Sequence, residues 1–198
     1  MKKILVLALF IANFFNAQAQ LGLGSRFGLG VNFSNDSSFT KTQSAVSYSI
    51  NGAFIADYNF SSLFALQSEL QIITKGKTET LNAVQGKTGV SYLGLNLLPK
   101  IKFGGSKFEG FLFAGPSVGY LIDAHDIALS ESSNVKDYYN DLDISAIAGL
   151  GASYKFGKNK IFTDLRYNHG FSNVNALEAY SLRLNQITLN VGFICYFK

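Results

Sequence analysis

The sequence of 198 residues is poor in cysteine and in charge, and it has no long hydrophobic run. Its single cysteine, Cys195, excludes an intrachain disulfide framework and any metal site that needs several cysteines. Only 15% of the residues are charged, whereas about 25% are charged in a typical soluble domain. Beyond the N-terminal segment, no apolar run approaches the ~18 residues that a membrane-spanning helix requires. The length fits a single domain.

Glycine and aromatic residues are plentiful by contrast. The chain contains 19 Gly, 18 Phe and 10 Tyr but only 2 Pro, a composition typical of strands with small residues at crowded positions. The glycines of Gly22–Gly30 alternate along a strand with no helix after it, which argues against a phosphate-binding loop. They are better explained as making room for Arg26.

The N-terminal residues have the anatomy of a secretory signal peptide. Two lysines precede the apolar run Ile4–Ala12, which is too short to span a membrane, and the small-residue site Ala17–Ala19 follows it. We expect cleavage between Ala19 and Gln20, so that 1–19 is the signal peptide and 20–198 the mature domain. Removing both lysines leaves 15 of 17 basic residues against 13 acidic ones, a net +2. This near-neutral charge argues against nucleic acid as a partner.

The mature chain alternates apolar and polar residues with a period of two, which is the period of a β-strand. In the last segment, Ile187, Val191 and Phe197 share one face with the other odd-numbered apolar residues, while Gln186 and Asn190 lie on the opposite face. Strands are predicted at about 21–33, 47–58, 63–75, 89–103, 108–122, 142–156, 161–171 and 184–197.

The connections between these strands are of two kinds. Asn59–Ser62, Gly104–Lys107 and Gly157–Lys160 are tight turns rich in Asn, Gly, Ser and Lys. Longer polar stretches lie near 35–46, 76–88, 123–141 and 172–183, and no helical segment is predicted. Short turns at one end and long loops at the other, with an even strand number, are typical of a bacterial outer-membrane barrel. Both termini should then lie in the periplasm.

When the more polar face of each predicted strand is assigned inward, it collects ten charged residues, and no charge falls on the other face across the middle of any strand. They are Arg26, Asp57, Glu69, Lys100, Lys102, Glu109, Asp143, Lys155, Asp164 and Arg166. A soluble, lipocalin-like barrel would place charge outside and apolar residues inside. The reverse pattern indicates lipid as the outer solvent. The sequence therefore predicts an all-β, eight-stranded, antiparallel, up-and-down transmembrane β-barrel in the outer membrane, with outer-membrane lipid around it.

Aromatic residues cluster near the strand ends on the outward face, as in the girdles at the two membrane interfaces of such barrels. They are Tyr48, Tyr58, Phe60, Phe103, Tyr154, Phe156, Tyr167, Phe171 and Phe197.

The five basic and five acidic interior residues must neutralise one another, because the lumen of eight strands is just wide enough for side chains to fill. We expect Arg166 to pair with Glu69 or Asp164. This favours a plugged interior and a structural or partner-binding role through the surface loops. The alternative is a narrow ion or small-solute pore, whose path would be lined by Arg26, Glu69, Lys100, Asp164 and Arg166. A wide diffusion pore needs about 16–18 strands.

Few residues are candidates for catalysis or metal binding. His169 lies near the outer rim, with Ser172, Glu178 and Ser181 in the loop that follows, so a lipid-modifying hydrolase is a third hypothesis. A rim histidine at the level of the lipid headgroups explains the same residue more simply. The stretch Asp123–Asp126 is a weak metal signal. We predict no catalytic site, no cofactor and no metal site, and an inert Cys195 facing lipid.

The long loops differ in charge. Lys75, Lys77 and Lys87 make the loop near 76–88 basic, whereas the stretch Asp123–Asp141 is acidic. Loops on a rigid scaffold often carry function, so a protein partner at the loops or at the periplasmic face is one interpretation. A solvated rim is the other.

Four segments resemble the PorT-like outer-membrane β-barrel family. They are Tyr92–Phe103, Phe108–Ile122, Asp143–Phe156 and Arg166–Val174, which resemble in order the family's Y-L-x-x-P-x-x-x-K, A-G-P-x-x-G, G-x-G-x-x-Y and R-Y-x-x-G-(L/F)-x-N strands. Leu97-Leu98-Pro99 departs from the usual Ile-Pro by about one position. The resemblance implies a barrel in the outer membrane and no reaction, and it supplies no catalytic residues.

Overall fold

The alternating segments form antiparallel strands, each longer than a membrane crossing requires. The computed structural model describes residues 20–36, 47–81, 84–128, 131–173 and 182–197. The strands are β1 (Gln20–Asp36), β2 (Ser47–Asn59), β3 (Phe64–Leu81), β4 (Val84–Gly104), β5 (Phe108–Ala128), β6 (Glu131–Asn134), β7 (Leu142–Phe156), β8 (Asn159–Gly170) and β9 (Leu182–Tyr196). The predicted signal peptide and Ala19 lie outside the described residues.

Eight of these strands close into a ring in the order β1-β2-β3-β4-β5-β7-β8-β9. The β4–β5 pairing joins the two halves, and the β1–β9 pairing joins the first strand to the last. The short strand β6 lies outside the ring and pairs with the end of β5. The predicted eight-stranded antiparallel barrel is therefore confirmed. Within the described residues, no helix is long and apolar enough to span a membrane.

Three connections are short and lie at one end of the barrel. They are residues 60–63, 105–107 and 157–158. Gly104 and Gly157 have φ angles of 118° and 61°, a left-handed conformation that glycine adopts without steric cost. The start of β1 and the finish of β9 lie at this end too, since Gln20 pairs with Asn59 and Gly22 with Tyr196. We call it the turn end and the opposite side the loop end.

The strands on one side of the barrel continue beyond the predicted limits. The stretch 76–88 was expected to be a loop, but β3 runs to Leu81 and β4 starts at Val84, paired throughout. Within 123–141, β5 continues to Ala128, β6 pairs back onto it, and a short 3₁₀ helix spans Lys136–Tyr138. The prediction of loops in these stretches was wrong, and so was the prediction of no helical segment. The strands were missed because strand pairing outside lipid is held by backbone hydrogen bonds and needs no alternation of apolar residues. The predicted loops near 35–46 and 172–183 fall mostly outside the described residues.

The outer surface is apolar and carries aromatic belts near both ends. Large side chains such as Phe27, Leu95 and Val191 are more than half exposed. At the turn end, the rings of Phe108, Tyr154, Phe156 and Phe193 contact one another in sequence, with centroids 4.9–6.3 Å apart. At the loop end, His169 packs between Tyr167 and Phe171. This distribution fits a barrel with lipid around its middle.

Candidate functional site

The centre of the barrel is crossed by a network of four charged side chains. Arg166 on β8 donates to both oxygens of Asp164, at 2.6 and 2.8 Å, and to Glu69 Oε2 on β3 at 2.8 Å. Arg26 on β1 donates to both Glu69 oxygens, at 3.2 and 2.9 Å. Strands β3 and β8 are four places apart in the ring of eight, so the bond between Arg166 and Glu69 spans the full diameter of the lumen.

Neutral amides complete the hydrogen bonds of this central network. Arg26 also donates to the side-chain oxygens of Asn51, Gln71 and Asn190, the last two at 2.8 and 2.9 Å. Glu69 accepts further bonds from Gln67 and Asn96, and Asp164 accepts one from Asn190. Each charge therefore has several partners, which is the condition under which buried ions are tolerated.

A glycine leaves space for this arrangement. A Cβ at Gly28 would lie 2.0 Å from the Asn190 side-chain oxygen and 2.8 Å from the Asn51 amide nitrogen, two groups around Arg26. The alternating glycines of β1 thus make room for Arg26 and its neighbours.

A second pair of charges lies towards the loop end. Lys75 on β3 bonds to Asp143 Oδ2 on β7 at 2.5 Å. The Ser172 hydroxyl donates to the other oxygen of Asp143 at 2.9 Å. Apolar side chains, among them Tyr92 and Leu121, pack beside this pair and close the lumen around it.

A third charged cluster fills the turn end. Asp57 is shared by Lys160 at 3.0 Å and Lys100 at 3.6 Å. Glu109 is shared by Lys155 at 2.6 Å and Lys160 at 3.9 Å. Tyr196 donates its hydroxyl to Asp57 as well. Lys102, the remaining lysine, bonds to the Asn59 side chain and to the Ser61 carbonyl oxygen.

An aromatic layer separates the central network from the turn-end cluster. Phe111, Phe113 and Phe162 are buried, and their rings lie over glycines on the neighbouring strand: Gly151, Gly149 and Gly192. Lys100 Nζ stands 4.8 Å from the Phe111 ring centroid, and the Arg166 guanidinium stands 4.9 Å from that of Phe113. The layer therefore fills the lumen while contacting cations on both of its sides.

The structure places the ten predicted interior residues on inward positions. Nine are at most 6% exposed, and Lys155 at the turn-end rim has a side chain 36% exposed. Among the described residues, sequence reasoning missed two interior charges: Lys75, the last residue of a predicted strand, was counted with the charges of the following loop, and Lys160 was assigned to a turn. The alternation along each strand could have identified both lysines. Lys75 lies an even number of positions from Glu69, and Lys160 an even number from Asp164, so each lysine shares the inward face of its strand. The expected balance of five and five becomes seven basic and five acidic residues among those that the structure describes.

The described residues that were considered for catalysis, His169 and Ser172, bond to different groups. Ser172 bonds to Asp143, while the His169 ring nitrogen lies 3.4 Å from the Tyr167 hydroxyl. Glu178 and Ser181 lie outside the described residues. His125 pairs with Asp123 at 3.0 Å, and no described group of three His, Cys, Asp or Glu is arranged to hold a metal ion.

Cys195 lies on the outward face of β9, as expected. Its thiol donates to the Asn159 side chain at 2.9 Å.

Comparison with known proteins shows the same architecture. The barrel is similar to Neisserial surface protein A, with a TM-score of 0.58 and 13% identity over 91% of this chain and 100% of that one. It is also similar to the outer membrane protein OprG from Pseudomonas aeruginosa, with a TM-score of 0.62 and 12% identity over 93% of this chain and 98% of that one. At such low identity these likenesses show the fold alone. A search of curated proteins finds no match.

A comparison with models of protein families identifies the family as well as the fold. The model of the outer membrane protein beta-barrel domain matches residues 16–175, which is most of the chain. The chain therefore belongs to this family and is a β-barrel protein of the outer membrane.

Proposed function

We propose that the protein is a non-conducting outer-membrane scaffold that binds a protein partner at its loop end. The observation that carries the proposal is the central network, in which Arg166 and Glu69 join diametrically opposite strands. An ion moving along the axis would have to separate these groups. Breaking one buried pair leaves an uncompensated charge, at a cost of about 3–5 kcal/mol. A closed lumen leaves the two ends and the outer wall as the surfaces available for function.

The orientation follows from the predicted signal peptide. Export, followed by insertion of an even number of strands, places both termini and the turn end in the periplasm, and the loop end outside the cell. The resemblance to the PorT-like family agrees with this placement. It implies no reaction, and none is proposed.

At the loop end, the ends of β3, β4, β5 and β6 extend beyond the last pairing of β2 with β3, and we call this extension the raised sheet. It is the docking surface that we propose. The pairing of β2 with β3 ends at Asn51 and Ile73, whereas β3 and β4 stay paired as far as Leu81 and Val84. The ends of β5 and β6 extend the same sheet on its other side. About eight residues of β3 thus rise some 25 Å along the strand beyond its last described pairing with β2. Such a strand edge suits a partner that adds a strand of its own.

Shortening the hairpin tests this role. Replacing residues 77–88 by Asn-Gly would join Gly76 to Gly89, which already pair across the ladder, through a two-residue turn. We expect the barrel to fold, because the ring pairings below this level are unchanged. A photo-crosslinker at Thr74 should trap a discrete partner in cells expressing the full hairpin and lose it in the shortened form. The same crosslinker at Ser106, in a turn at the opposite end, is the control.

Equal capture by both forms at Thr74 would contradict docking at the raised sheet. Steady ionic current through the wild-type barrel would instead favour the narrow pore.

A further inference from the structure

The turn end contains an open cavity whose lining is rich in lysine. One cavity of about 340 Å³ is lined by Lys102, Lys155 and Lys158 together with polar groups that include Asn59 and Ser61. A neighbouring cavity of about 470 Å³ shares Lys102 and Lys155 and reaches the turn at 104–106. Volumes of this size are those of ligand sites.

The charges around these cavities do not balance. The turn-end cluster contains four lysines, Lys100, Lys102, Lys155 and Lys160, but only the two carboxylates Asp57 and Glu109, a net +2. Each carboxylate is already shared by two lysines. The other two ionic groups of the lumen are neutral, since Lys75 pairs with Asp143 and the central network has two arginines and two acids. Within the part of the lumen that the structure describes, the excess positive charge therefore lies at the turn end.

Lys102 belongs to this positively charged cluster and lines both cavities. Its side chain is buried, and its bonds go to a neutral amide and a neutral carbonyl, with no described carboxylate at ion-pair distance. Burying a charge without a counter-charge is costly. An anion in the cavity would supply the missing partner, and the Ser61 and Ser62 hydroxyls and the Asn59 and Asn159 amides along the lining are able to donate to it.

We propose that the turn-end cavity binds an anionic phosphate or carboxylate group through Lys102, with Lys155 and Lys158 at its rim. The turn-end aromatic belt lies beside this mouth, since Phe197 and Phe103 line the two cavities. The group is therefore supplied by a soluble anion or by the headgroup of a lipid at that interface. The site does not depend on the loop-end partner, so either proposal can fail alone.

Titration of the refolded mature chain with inorganic phosphate, in zwitterionic detergent at constant ionic strength, tests the site. We expect saturable chemical-shift changes at the backbone amides of Asn59, Ser61 and Gly157. Lys102→Gln should weaken the affinity by about tenfold, the effect of losing one charge-assisted hydrogen bond. Lys107→Gln removes an exposed lysine of the same end that lines neither cavity, and it should leave the affinity unchanged. Acetate in place of phosphate reports on the carboxylate form.

A second arm identifies a lipid source. In nanodiscs of phosphatidylglycerol, but not of phosphatidylcholine, the same amides should shift, and Lys102→Gln should reverse the shift. If Lys102→Gln fails to fold, Lys158→Gln provides the test at an exposed turn position. Shifts that stay linear with concentration in every arm, or equal affinity in the Lys102 and Lys107 variants, would overturn the proposal.

Discussion

Arg166 shows how single residues hold this lumen together. Its guanidinium forms a two-point contact with Asp164 and a third bond to Glu69, and it is buried against the Phe113 ring. Arginine suits this position because its planar fork binds a carboxylate at two points, which a lysine does not. Asp164 and Glu69 both accept hydrogen bonds from Arg166, so the loss of this arginine leaves buried carboxylate oxygens with fewer donors.

Replacing Arg166 by Ala should destabilise the barrel by about 3–5 kcal/mol, because Asp164 loses its buried cationic partner and Glu69 loses one of its two. Urea unfolding in detergent micelles measures the effect. Arg183→Ala is the matched control, since this arginine lies exposed on β9 and its removal should cost little. Equal unfolding midpoints for Arg166→Ala and the wild type would rule out the pairing as a source of stability.

At the scale of elements, the β4–β5 seam of the ring is interrupted at mid-barrel. The pairing is interrupted between Asn96–Ser117 and Lys100–Phe113, where Pro99 and Pro116 lie on the facing strands. Neither proline has an N–H to donate, so each removes a ladder bond. Gly115 allows the strands to stay close there, because a Cβ at this position would lie 1.9 Å from the Leu97 carbonyl oxygen.

Amide hydrogen exchange should therefore be faster for Leu97 and Ala114, whose N–H groups are directed at this seam, than for residues 27–31 and 187–191. The latter belong to the β1–β9 seam, whose ladder is continuous at mid-barrel. Exchange rates measured by NMR on the refolded protein in micelles compare the two seams directly. Equal protection at both would show that the prolines do not weaken the wall.

The same elements show what the sequence was able to predict. The period of two located all eight ring strands, because alternation between lipid and lumen is enforced along each crossing. It missed the upper parts of β3, β4 and β5, since strands outside the membrane pair through their backbones and keep no apolar face. Because the predicted strand stopped at Lys75, this residue was counted with the loop charges and not with the interior ones. The partners of Glu69 on strands far apart in sequence depend on barrel closure, which alternation does not specify.

The whole molecule is a closed ring whose lumen is crossed by charged side chains at three levels. Lys75 and Asp143 lie at the loop end, the arginine–carboxylate network at the centre, and the lysine-rich cluster at the turn end, with Phe111 and its neighbouring rings between the last two. No single level needs to seal the barrel alone. Among the described residues, the turn end combines an excess of positive charge with a lysine-lined cavity, and the loop end presents the extended sheet of β3 to β6, so the two ends are suited to different partners.

Planar-bilayer conductance of the refolded wild-type barrel, recorded beside Glu69→Ala, tests the plugged lumen most directly. Glu69 is the carboxylate to which both central arginines bond, so its removal opens the central level and leaves two buried cations to repel each other. We predict no steady current from the wild type and, at most, brief irregular openings from the variant. Steady single-channel currents in the wild type, altered in size or ion preference by Glu69→Ala, would contradict the account and identify the charge network as the lining of a pore.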